Sequence, residues 1–312
     1  MESLVIAFSA VLPLCIPICI GILVKRLGWI GEKGTAEMNR ICFFTMMPSL
    51  LFCNIYSIDL QTIRLGSLML FCALGVAAEL LGALILVPKF EKDRRRRPVL
   101  VQGIFRTNMV AMGLPLIEHL TEGRANGEMA VLIAVFVPCF IIISALLLEG
   151  SKQAEKGAGA PLSAIVKNPM ILAASLAALL LFAGIRVPTA VYSAITDLAK
   201  AGSVLVLILL GSSLNITSIR ANKKTIVSAV LLRTVFLPLA AILAARAVGI
   251  IGEHLVCVLI LFGCPVATTV YTMTDQMGGD SRLAGELVAA STLAACLSLF
   301  LFSFFLKEIT WI

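Results

Sequence analysis

The residues best suited to chemistry fall in two short stretches, one in each half of the chain. The first, Gly103-Ile-Phe-Arg-Thr-Asn-Met-Val-Ala-Met-Gly-Leu-Pro-Leu-Ile-Glu118, holds Thr107, Asn108, Gly113 and Pro115. The second, Leu261-Phe-Gly-Cys-Pro-Val-Ala-Thr-Thr-Val-Tyr-Thr272, holds Cys264, Pro265, Thr268, Thr269 and Tyr271. Both are flanked by apolar residues. A proline inside a helix removes one hydrogen bond and pushes against the carbonyl four residues back, and a glycine beside it loosens the turn. In the first stretch this places the interruption at Pro115, against the carbonyl of Ala111. Backbone groups freed inside a membrane persist only where protein or a water-filled cavity satisfies them, so each stretch reads as a broken helix lining a cavity. The chemistry available there is recognition and not bond-making. The Asn108 amide can donate to a carboxylate and accept from a cation, the threonine and tyrosine hydroxyls add donors, and opened half-helix N-termini can hold an anion. The plainer alternative is that Asn108 bonds a neighbouring helix, as polar residues in membrane bundles do.

Charged residues inside apolar runs are the next candidates for substrate or ion handling. Glu79, in Val76-Ala-Ala-Glu-Leu-Leu81, must face protein or water, since a carboxylate at such a depth costs about 2.5–3.5 kcal/mol on insertion scales. It is either a proton carrier or cation ligand, or a static partner of Arg106 or Arg233. Arg106 either attracts an anionic substrate or reaches back to the nearer membrane surface. Asp275, at the end of its apolar run, is either a gate or a solvated helix end. Asp197 with Lys200, and Arg282 with Glu286, have the spacing of helical ion pairs. His119 and His254 fall at helix ends, where interfacial polar residues are common.

The elements that position these residues follow from composition. Of 312 residues 60% are hydrophobic and only 14% charged, too few charges to cover the apolar surface of a soluble chain of this length. Runs of about twenty apolar residues give ten membrane spans, at roughly 4–24, 37–56, 66–88, 99–120, 128–149, 163–184, 190–213, 226–248, 255–276 and 284–306. The first run has Glu2 and no basic residue before it and reads as a retained helix. The net charge of +7 reflects loop placement, so nucleic acid is not an expected partner. Nine cysteines lie in or beside apolar segments with no Cys-x-x-Cys pair, and two histidines complete a set that points to no metal and no cofactor. Hydrolase, metalloprotease and Walker motifs are missing from the sequence, which argues against an enzyme and against ATP driving by this chain. A channel or a ligand sensor is the alternative to a carrier.

Basic residues set the expected orientation. Sixteen lie in loops after the odd-numbered spans, among them Lys25, Arg26, the Arg94–Arg97 run, Lys152, Lys223, Lys224 and Arg282, against Arg64, Arg124, Arg186, Arg246 and Lys307 on the other side. The positive-inside rule then puts both termini outside the cell (inner) membrane. With five spans in residues 1–149, a linker at 150–162 and five spans in 163–312, the second half enters the membrane in the opposite sense. A shift of about 158 residues carries span one onto span six and span four onto span nine. The layout is therefore an inverted repeat, and paired broken helices in such halves mark a secondary transporter's binding site.

Several short motifs in order along nearly the whole chain resemble the auxin efflux carrier family, which includes plant PIN-type carriers and bacterial organic-acid permeases. They are Gly21-Ile-Leu-Val-Lys-Arg-Leu-Gly-Trp-Ile-Gly31, Met38-Asn-Arg-Ile-Cys-Phe-Phe-Thr-Met-Met-Pro-Ser-Leu-Leu-Phe52, Gly113-Leu-Pro115, Lys167-Asn-Pro169, Leu210-Gly-Ser-Ser-Leu214 and Cys264-Pro-Val-Ala267. The resemblance implies an all-α polytopic fold, shared in outline with bile-acid/sodium symporters, in which broken helices four and nine cross. Spans one, two, six and seven would form a scaffold, often dimeric, and spans three, four, five, eight, nine and ten a mobile transport unit. Its substrates would be small organic anions or weak acids such as a dicarboxylate, with proton or sodium as coupling ion. The long central loop of PIN carriers is missing here, which favours the compact prokaryotic type. On span seven, Gly202, Ser203 and Gly211 are small residues suited to a homodimer contact.

Overall fold

A segment surrounded by lipid must satisfy its backbone internally, and the apolar runs answer this by forming helices. The computed structural model describes residues 15–58, 66–155, 168–213 and 222–312. Among them helix is the sole regular structure, apart from one isolated antiparallel bridge. In chain order the rods are α1 (15–26 of the described residues), α2 (32–56), α3 (Ser67–Phe90), α4 (Arg97–Phe105 and Leu114–Thr121, with an interruption between them), α5 (Asn126–Glu155) and α6 (Pro169–Phe182). They continue as α7 (Thr189–Ser213), α8 (Lys223–Ala247), α9 (Glu253–Gly263 and Thr269–Gln276, again interrupted) and α10 (Ser281–Glu308). Five of these, α3, α5, α7, α8 and α10, are long and apolar enough to cross a membrane, and α6 and the first half of α9 are shorter apolar helices. On α3 the side chains of Leu70, Leu74, Leu81 and Ile85 are each more than half exposed along one face, a surface that lipid tails and not water would solvate. The chain is thus an all-helical, multi-pass membrane protein.

Element ends depart from the sequence reading in places. α2 begins at Glu32, five residues before the apolar run, because Glu32-Lys33-Gly34-Thr35-Ala36-Glu37 can continue the helix into the interface, with Lys33 and Glu37 paired at 4.0 Å. α5 runs through Gly150-Ser-Lys-Gln-Ala-Glu155, so the first part of the expected linker is helix; its residues 156–162, and the first span before residue 15, lie outside the described residues.

A single device recurs three times. Wide π-type turns at Cys42–Met46, Met109–Gly113 and Leu232–Phe236 each directly precede a helix whose second residue is a proline, namely Pro48, Pro115 and Pro238. The ring would press on the carbonyl four residues back, at Phe44, Ala111 and Thr234, and each of those lies inside the wide turn. One extra residue in the turn moves the carbonyl aside and lets the rod continue. This corrects the expected location of the interruption in α4. Pro115 is absorbed by a wide turn, and the break lies upstream at Arg106–Asn108.

Glycines permit the closest helix contacts. A Cβ on Gly21 would stand 2.0 Å from the Ile208 carbonyl oxygen, and one on Gly211 would stand 2.0 Å from that of Ile18, so α1 and α7 touch backbone to backbone. Gly202 likewise packs against Met46 of α2. These two α7 glycines are buried within the chain, which removes them as support for a contact between copies. α1, α2, α6 and α7 pack together, and α3, α4, α8, α9 and α10 form a second group; α5 touches both, the second half of α9 also packs against α2 and α7, and α10 touches α7.

Candidate functional site

The site is assembled where the two interruptions meet. The first half of α4 ends at Phe105, and Arg106 is extended with φ −92° and ψ 118°. The first half of α9 ends at Gly263, and Cys264 is extended with φ −63° and ψ 150°. These stretches run antiparallel to each other, with Thr107 paired to Val266. The Asn108 N–H donates to the Pro265 carbonyl at 2.8 Å, and the Thr107 hydroxyl donates to the Cys264 carbonyl at 3.3 Å. Pro265 has no N–H, so it can serve here only as an acceptor. The Val266 N–H donates to Ser291 Oγ of α10 at 3.2 Å. Each half thus satisfies groups that the other's break exposes.

The carbonyls left at the ends of both first halves converge on one side chain, Arg233 of α8, which is 0% exposed. Its Nη1 donates to the Ile104 carbonyl at 2.8 Å, its Nε to that of Cys264 at 3.0 Å and its Nη2 to that of Leu261 at 3.2 Å. Helix C-termini carry partial negative charge, and the planar guanidinium offers donors in a fixed fork, so one arginine caps two half-helices. Glu79 of α3 neutralises it, with Oε2 at 3.5 Å from Nη1. Of the partners open to Glu79 in the sequence, the structure selects Arg233 and not Arg106.

Arg106, the first residue of the break in α4, is 1% exposed. It does not reach back to the membrane surface. Its Nη1 donates to Gln102 Oε1 at 3.2 Å and lies 3.1 Å from Met273 Sδ, and its Nη2 donates to Thr269 Oγ1. No acidic side chain stands within ion-pair distance of it among the described residues. Asn108 is 8% exposed, and among the described residues its amide nitrogen has no hydrogen-bond partner; neither has the buried hydroxyl of Thr272 on the second half of α9. A buried cation without counter-charge, two residues along the extended break from a free amide, is an environment that takes up negative charge.

The family model for membrane transport proteins matches residues 6–163 and 158–303, nearly the full length of the chain. The chain belongs to this family, the auxin efflux carriers. A comparison with curated proteins finds no match. The molecule is therefore a multi-pass membrane transporter, and the paired breaks lie in the interior of a transport protein.

Around this transporter's breaks the structure gathers Thr107, Asn108, Cys264, Pro265 and Thr269, with Arg106 among them. Thr268 stands at the N-cap of the second half of α9 and makes no side-chain capping bond, and Tyr271 is buried one turn on. Gly113 is taken up by packing, since a Cβ there would stand 2.5 Å from Ile260 Cγ2 of α9. Pro115 and His119 lie in the second half of α4, and their side chains are outside the described ones. Asp275 sits apart from the breaks and accepts from Asn39 Nδ2 of α2 at 2.5 Å and from Gln276 Nε2 at 3.0 Å. His254 is exposed at the start of α9.

Two expected helical pairs do not form. Asp197 and Lys200 are both exposed and make no ion pair, water being the better partner for each. Glu286 turns inward and accepts from Asn222 Nδ2 at 2.8 Å, while Arg282 faces out. Sequence reasoning missed the capping role of Arg233, and with it Gln102 and Met273 as supports of Arg106. The available signal was an arginine in the middle of an apolar run, which must find a partner at the same depth as Glu79.

Proposed function

We propose that this transporter is a secondary carrier of a small organic anion or weak acid, with alternating access around the joined breaks of α4 and α9. The observation that carries the reading is the uncompensated, buried guanidinium of Arg106 beside the free amide of Asn108. In this reading the rods are ten spans in a five-plus-five inverted repeat, α4 and α9 cross at their breaks, and both termini face outward. α1, α2, α6 and α7 form the static part, and α3, α4, α5, α8, α9 and α10 carry the site. Packing that is denser within each group than between them supports that division. Proton or sodium couples transport, with Glu79 as the group that senses it. The static part pairs two copies, which a monomeric mass in lipid nanodiscs would contradict.

The test is counterflow in proteoliposomes loaded with small mono- and dicarboxylates. Saturable exchange is expected, and non-saturable flux would point to a channel. Asn108→Ala should leave expression and insertion intact, because removing an unpaired amide relieves desolvation. It should weaken binding by about 1–3 kcal/mol, the usual cost of leaving a buried polar partner unmet. Wild-type affinity in Asn108→Ala would put the site elsewhere.

A further inference from the structure

The charge balance around the breaks goes a step further than an organic anion in general. Besides Arg106, the charged side chains to account for are Arg233, Glu79, Asp275 and Glu286. Arg233 and Glu79 neutralise one another at 3.5 Å. Asp275, two residues beyond Met273, is held by the neutral side chains of Asn39 and Gln276, and it is not within ion-pair distance of Arg106. Glu286 of α10 is engaged by Asn222, farther along the packed face. Among the described residues that leaves Arg106 as the cation at the breaks whose charge no side chain balances. Its position is fixed by Gln102, Thr269 and Met273, none of which carries charge.

A carboxylate brought beside Arg106 would complete a buried pair, and Asn108, two residues along the same extended break, has an amide nitrogen without a partner among the described residues. A second negative charge on the same ligand would find no counter-charge in that interior. An unpaired charge in a buried site is strongly disfavoured, and the ordinary escape is for the group to take a proton. We infer that the carrier binds its substrate as a monoanion, either a monocarboxylate or the hydrogen form of a dicarboxylate, with Arg106 setting the limit of one charge. This rests on the organic-anion reading above and narrows it.

The experiment uses the full-length protein in detergent or nanodiscs and measures binding of C3–C6 dicarboxylates, each beside its monomethyl ester. At a pH where the diacid is fully ionised, the ester should bind at least about tenfold more tightly. As pH rises above the diacid's second pKa, the diacid's affinity should fall about tenfold per unit, because only its hydrogen form binds. The ester does not titrate in that range and corrects for any titration of Glu79, Asp275 or Glu286. A monocarboxylate substrate gives strong, pH-independent ester binding with weak diacid binding throughout; a dicarboxylate substrate gives diacid binding that climbs as pH falls. Arg106→Gln should move the optimum from one charge to none, so that the monomethyl ester loses its advantage over the uncharged dimethyl ester, whereas Arg106→Lys should keep that advantage even where binding weakens. Equal or tighter binding of the fully ionised diacid overturns the inference, as does an unchanged preference for the monomethyl over the dimethyl ester in a folded Arg106→Gln protein. If the diacid wins and Asn108→Ala still weakens it, the one-charge limit alone fails and the site stands. If no member of the panel binds the wild type, the organic-anion reading fails and this inference with it.

Discussion

Replacing Arg233 with methionine tests the architecture of the break most directly. Three backbone carbonyls, those of Ile104, Leu261 and Cys264, lose their donor at once, and Glu79 is left without its cation. A buried ion pair broken on one side costs about 3–5 kcal/mol, and orphaned buried acceptors about 1–3 kcal/mol each, though such losses overlap and do not add. The structure therefore places Arg233→Met at about 5 kcal/mol, comparable with the whole stability of many folds. Removing both charges in Arg233→Met/Glu79→Leu spares the unpaired carboxylate and should recover about 3 kcal/mol of that loss, leaving only the uncapped carbonyls. The assay is thermal unfolding in mild detergent with a thiol-reactive fluorogenic dye, which reports the buried thiols of Cys72, Cys257 and Cys264 as they become accessible. The single variant should unfold far below wild type or fail to purify, and the double variant should purify and unfold in between. An unchanged midpoint for Arg233→Met, or a double variant no better than the single, would refute the claim that this arginine holds the two half-helix ends.

The remaining predictions concern packing, coupling and orientation. Gly211→Ala drives a Cβ to 2.0 Å from the Ile18 carbonyl oxygen and should lower the thermal midpoint, at a cost of about 1–3 kcal/mol, while Gly82→Ala, with nothing within 4 Å of the new atom, should be neutral or stabilising. Glu79→Gln keeps the shape at Arg233 and removes the charge, so ion-driven accumulation should vanish while exchange of substrate for substrate survives; low yield with normal coupling would assign Glu79 a structural role only. Single cysteines at Ser151 and Ala221 in a cysteine-free background should resist an impermeant thiol reagent in intact cells and one at Ile312 should react, the reverse pattern overturning the orientation.

What could be read from the sequence, and what could not, follows from the range of the forces involved. The apolar runs are local, and α3, α5, α7, α8 and α10 are long apolar helices where those runs lie. The interruption of α9 at Pro265 was legible, because proline acts on its own turn. That of α4 was misplaced, since Pro115 is accommodated by the wide turn at Met109–Gly113. The extended backbone of Arg106, Thr107 and Asn108 is held from outside, by Pro265, Cys264 and Val266, residues more than 150 positions away. The same holds for Arg233. Its charge announced that it needed a partner, and Glu79 was one of the candidates, but the three carbonyls it caps come from two other helices. Gly202 and Gly211 were visible as small residues, yet whether they admit α1 and α2 or a second copy depends on tertiary packing.

The joint between the two breaks consists mainly of main-chain contacts, Thr107 against Val266 and the Asn108 N–H on the Pro265 carbonyl. Main-chain bonds are indifferent to what the side chains are. In the function proposed above, the hinge and the reader of the cargo are therefore written in separate alphabets: one in the peptide backbone and the Arg233 clasp, the other in the side chains of Arg106, Asn108 and Thr269. Such a division lets the second be rewritten while the first stays intact. A designer seeking a new cargo would leave Pro265 and Arg233 untouched and vary only the neighbours of Arg106, and divergence along a lineage could follow that same route.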